Sequence, residues 1–86
     1  MPSLVELEEQ IITDLYLVKP ELAQQVHSGD SLVQQHGIES LDMVELIARI
    51  EDRFQVPIED NDWKKLQSIQ QLAQFIQHKL NSEHAG

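Results

Sequence analysis

Met43, Ile47, Ile50 and Phe54 recur at i, i+4, i+7 and i+11, with Leu46 beside them. That spacing gathers on one face of a helix, and a face so uniformly apolar has to be covered by other parts of the chain. The segment predicts a helix from about Ser40 to Phe54 in the middle of a core. Another row, Asp42, Glu45, Arg49 and Asp52, is set to face water, with Arg49 placed to pair with Glu45 at i, i+4. Val56-Pro57-Ile58 ends the helix, because proline restricts the residue before it and cannot continue the hydrogen-bond ladder.

Two further segments carry the same period. Leu4, Leu7, Ile11 and Leu15, widened by Ile12, predict a helix from Ser3 to about Leu17, and Pro20 ends it. Ile69, Leu72, Ala73, Ile76 and Leu80 predict a last helix from Ser68 that frays after Lys79, leaving Asn81 to Gly86 as a flexible tail. Ser3 with Glu6, and Ser68 with Gln71, have capping-box spacing, in which side chains satisfy the free N–H groups of a helix start. Between the first two helices lie about twenty residues with little periodicity, long for a structureless loop in a compact domain. Short helical turns, for instance at Pro20 to Gln25, and anchoring by Leu22, Val26, Leu32 and Val33 are expected there. Another short turn of helix is expected around Asp60 to Lys65. The fold class is therefore all-α: a single domain over residues 1–86, a small four-helix bundle of three main helices and one short one, with a long first loop.

The chain has 86 residues, 41% hydrophobic and 24% charged, which is globular and not disordered usage. Six Lys and Arg against fifteen Asp and Glu give a net charge of -9. Such a surface repels nucleic acid phosphates and anionic membranes and suits basic protein partners. Without cysteine there is neither a disulfide framework nor a thiol nucleophile. His27, His36, His78 and His84 share no ligand spacing on a helical face, so no metal site is expected. The start at Met1-Pro2-Ser3-Leu4 lacks a basic, then apolar, leader, and no run approaches the roughly 18 uncharged residues of a membrane span. A cytoplasmic monomer is the expectation.

Ser40 stands where the central helix begins, but unlike Ser3 and Ser68 it has no capping partner three residues on, where Met43 is found. A plain N-cap is one reading. A catalytic nucleophile is another, but it would need a base and an oxyanion hole. His36 is the nearest candidate base, there is no glycine-rich segment to present backbone donors, and Glu39, Asp42 and Glu45 would oppose a developing oxyanion. A third reading makes Ser40 a substrate, modified by an enzyme that brings its own base and metal. No catalytic residue is expected in the chain itself.

Gly37-Ile38-Glu39-Ser40-Leu41-Asp42-Met43-Val44-Glu45-Leu46, followed by Ile50-Glu51-Asp52-Arg53-Phe54 and Val56-Pro57-Ile58, resembles the acyl carrier protein family over nearly the whole chain. The resemblance implies a carrier and not an enzyme. It implies 4′-phosphopantetheine transferred from coenzyme A onto Ser40 by a magnesium-dependent phosphopantetheinyl transferase, with acyl groups held as thioesters on the arm's thiol. It also implies that the helix from Ser40 meets basic docking patches on acyl transferase, ligase and ketosynthase-type enzymes through Glu39, Asp42, Glu45, Glu51 and Asp52. Leu41, Val44 and Ala48 form an apolar strip beside the serine, set either to touch partners or to face the bundle interior. Glu39 in place of the usual aspartate, with Met43 and Arg49, leans toward polyketide-type rather than fatty acid biosynthesis. Asp62-Trp63 is similar to D-alanyl carriers, which leaves an aminoacyl carrier as an alternative, although Trp63 can equally close the short helix onto the core. An unmodified acidic helical adaptor is the alternative from another class.

Overall fold

The computed structural model describes residues 2–85. Its elements run α1 (Leu4–Val18), a 3₁₀ turn (Pro20–Leu22), α2 (Leu32–His36), α3 (Ser40–Phe54), α4 (Asp60–Trp63) and α5 (Ile69–Ala85). There is no strand among the described residues. The three long helices are those read from periodicity, and α1 packs against both α3 and α5. Leu7, Ile11 and Leu15 from α1 meet Leu46 and Ile50 from α3 and Ile69, Leu72 and Ile76 from α5, all without solvent exposure. Each such side chain contributes about 1.5–3 kcal/mol when withdrawn from water. Helices of this length are marginal alone in water, so the shared core is what holds them.

The helix starts obey their caps. Ser3 Oγ accepts the Glu6 N–H at 3.2 Å and Ser68 Oγ accepts the Gln71 N–H at 3.1 Å. Gln71 reaches back to the N–H of Gln67 at 2.7 Å, one residue earlier than the simple box requires. At the other end α5 continues through Ala85, beyond the expected end near Lys79. No glycine or proline interrupts it before Gly86, which lies outside the described residues.

The long connection departs most from expectation. Only Pro20–Leu22 of the anticipated turn is helical, while α2 arises at an unanticipated place. Ser31 Oγ accepts the Gln34 N–H at 3.2 Å, Gln35 Oε1 accepts the Ser31 N–H at 2.7 Å, and Gly37 closes the turn in the left-handed region at φ 66°. A helix of five residues holds too few apolar positions to display a period. Leu22, Val26 and Leu32 are buried as expected, but Val33 is exposed, because successive helical residues point about 100° apart. Backbone bonds from Leu32 N–H to Gln67 O and from Gln70 N–H to Ser28 O, both 2.8 Å, fasten this connection to the entry of α5.

Among the described residues, one carboxylate lies in the interior. Asp14 on α1 is 3% exposed and receives Arg53 Nε and Nη2 at 2.8 Å each, a two-pronged bond from the last turn of α3.

Candidate functional site

Helix α3 begins one residue earlier than a Ser40 cap would place it. Glu39 occupies the cap position and Ser40 is the first helical residue. Asp42 Oδ2 accepts the Glu39 N–H at 3.2 Å, so the helix start is satisfied by Asp42 and not by the serine. The same oxygen lies 3.4 Å from Lys19 Nζ, whose ammonium also stands 3.4 Å from Glu21. Asp42 first, then Glu21, push the Lys19 pKa above its ordinary value. With its neighbours doing the capping, the Ser40 hydroxyl is exposed and makes no hydrogen bond to any described residue.

The residues expected around the serine divide in two. Glu39, Leu41, Val44, Glu45, Ala48 and Asp52 are exposed on α3. Leu41 is 80% exposed and Val44 52%, so the apolar strip faces outward; Leu41 does not pack the helix start. Arg49 lies 3.9 Å from Glu45, as its spacing requires. Asp42 and Glu51 have internal work instead. Asp42 caps the helix, and Glu51 Oε2 accepts the Ile58 N–H at 2.8 Å, holding the chain as it leaves α3.

A cleft of about 250 Å³ opens beside Ser40. Val33, Met43, Trp63 and Leu66 give it apolar walls, and the exposed Gln34, Lys64 and Gln67 give it polar ones. Trp63, at the end of α4, packs half-buried against the core and donates Nε1–H to Asp60 Oδ1 at 3.2 Å. The sequence signals neither Lys64 nor the two glutamines as part of a site, because α2, α4 and the start of α3 converge only in the folded chain.

His36 is not free to serve Ser40. Its Nε2 lies 2.9 Å from Asp30 Oδ2, which also accepts the His27 N–H at 3.0 Å. The His27 N–H first, then His36, hold the Asp30 carboxyl below its usual range. A carboxyl depressed in this way contributes stability above its unfolded pKa, and that contribution disappears as pH falls through the folded value, here below about 4. Urea unfolding between about pH 5 and about pH 3 should therefore show a smaller acid loss for Asp30→Asn than for the parent chain. Parallel losses would show that Asp30 does not hold this loop.

The chain matches the family model described as "Phosphopantetheine attachment site" over residues 6–76. It is 32% identical over 79 residues to the acyl carrier protein of Buchnera aphidicola subsp. Acyrthosiphon pisum (strain 5A), which covers 92% of this chain and 95% of that protein. It is also 32% identical over 79 residues to the acyl carrier protein of Chlamydia muridarum (strain MoPn / Nigg), covering 92% of this chain and 99% of that one. The family's covalently bound prosthetic group is 4′-phosphopantetheine. An unencumbered hydroxyl at the lip of a half-apolar cleft fits a tethered group of that kind. A capping arrangement that leaves its own serine unused, and a match that runs through all three main helices, place this chain in the acyl carrier protein family, whose members are carriers and not enzymes.

Proposed function

We propose that Ser40 receives the 4′-phosphopantetheine arm and that the protein carries acyl intermediates on it as thioesters for fatty acid or polyketide-type biosynthesis. The observation that carries this reading is the exposed Ser40 hydroxyl, without a hydrogen bond to any described residue, in the first turn of α3. The arm supplies the thiol that a chain without cysteine lacks. What the chain itself supplies is presentation. Its hydroxyl needs no base or oxyanion donor nearby, because the phosphopantetheinyl transferase brings its own. Acyl cargo is favoured over aminoacyl cargo because both relatives described above are acyl carrier proteins.

Docking is assigned to the exposed face of α3. Glu39, Glu45 and Asp52 offer negative charge to basic patches on the transferase, on acyl transferases or ligases and on ketosynthase-type enzymes, while Leu41, Val44 and Ala48 offer apolar contact. Complementary charge of this kind raises association rates and is screened by salt, which suits a carrier that must leave each partner quickly. The net charge of -9 and the absence, among the described residues, of a helix able to cross a membrane accord with a monomer working in the cytoplasm.

Coexpression with a broad-specificity transferase should add one phosphopantetheine mass to the parent protein and none to Ser40→Ala. An unmodified parent protein would favour the acidic adaptor instead. Mass spectrometry of the thioester-bound species from the native host identifies the cargo; a bound amino acid would overturn the acyl reading.

A further inference from the structure

We propose that Lys19 decides which carboxylates of α3 a partner meets: its ammonium neutralises Asp42, so the charge offered beside Ser40 is that of Glu39 and Glu45. The inference rests on Ser40 being the attachment residue and on the exposed face of α3 being the docking face. Lys19 closes α1, where its N–H donates to Leu15 O at 2.8 Å, and Pro20 opens the 3₁₀ turn directly after it. A backbone fixed on both sides carries the ammonium to the first turn of α3, 3.4 Å from Asp42 Oδ2. The same oxygen accepts the Glu39 N–H at 3.2 Å, so Asp42 is engaged twice within the molecule.

The ammonium also stands 3.4 Å from Glu21, but that side chain is 65% exposed against 22% for Asp42. Water screens the first contact more than the second, so Lys19 acts mainly on Asp42. Among the described residues Glu39 and Asp52 form no ion pair, and Glu45 has only the long 3.9 Å approach of Arg49. A basic partner reaching Ser40 therefore meets Glu39 as the free charge beside it, while Asp42 stays with the cap. Lys19 is a positioning residue that acts through Asp42. It weakens the negative field at the head of α3 and so limits how tightly a basic partner is held there.

The test is the initial rate of loading by a broad-specificity phosphopantetheinyl transferase with coenzyme A, the product mapped to Ser40 by peptide mass spectrometry. Lys19→Met keeps the aliphatic stem and frees Asp42, so KM for the carrier should fall about two- to three-fold at low salt with kcat unchanged, and return toward the parent value at high salt. Lys19→Met with Asp42→Asn removes both charges and leaves an oxygen to accept the Glu39 N–H, so its KM should match the parent. Should the single variant not fold, this double variant decides alone. Glu39→Gln removes an unpaired carboxylate and should raise KM about three-fold. Lys79→Met makes the same charge change as Lys19→Met about 15 Å along α5 from its first residue, and should leave KM as it was. An unchanged or raised KM in folded Lys19→Met, or an equal fall in Lys79→Met, would overturn the role of Lys19. A raised KM in the double variant would show that Asp42 itself meets the transferase and would overturn it too. An unchanged KM in Glu39→Gln would remove the docking face, and a group mapped to any residue but Ser40 would remove the attachment reading.

Discussion

Arg53→Met should cost about 3 kcal/mol of folding stability, since removing one partner of a buried ion pair costs about 3–5 and Arg53 is partly reached by water. Its side chain is 37% exposed, against 4% for Asp14. The carboxylate would remain in the interior with neither of its two 2.8 Å donors. In a domain of this size that loss corresponds to a fall in melting temperature of about 15 °C. Replacing both partners, Asp14→Leu with Arg53→Met, should recover most of the loss because no charge is left behind. A single-variant loss below about 1 kcal/mol, the range of a surface pair, would mean that water reaches Asp14.

Leu46→Ala should cost about 3 kcal/mol by leaving a cavity among α1, α3 and α5. Leu46 is fully buried on the inner face of the helix whose first turn presents Ser40. Val44→Ala, two residues away but 52% exposed, should stay within about 0.5 kcal/mol. Chemical denaturation of the two variants tests the contrast, and comparable losses would mean that α3 is rotated from the orientation described. A domain of 86 residues has a margin of roughly 5–13 kcal/mol, so Leu46→Ala removes a sizeable part of it and loosens the platform that presents the serine.

The periodic residues of α1, α3 and α5 were legible because each helix is long enough to repeat its apolar face three or four times, and burial of that face is what folding rewards. The capping serines at positions 3 and 68 were legible for the same local reason: a hydroxyl and its acceptor partner lie within one turn. α2 was not, since a single turn between Ser31 and Gly37 repeats nothing. Nothing in the spacing joins Asp14 to Arg53, thirty-nine positions apart in sequence. Asp42 and Glu51 stand among the docking carboxylates that the family resemblance implies, but nothing in their spacing signals Lys19 or the Ile58 N–H.

The sequence alone determined the three main helices, the inward face of each, and a serine at the threshold of the central one, because these depend on spacing along the chain. The tertiary structure alone decided that Lys19 joins Asp42 at the start of that helix, and that Trp63 and Lys64 line a cleft with Ser40. Those relations join segments twenty or more residues apart, and only the packing of the helices sets the distances between them.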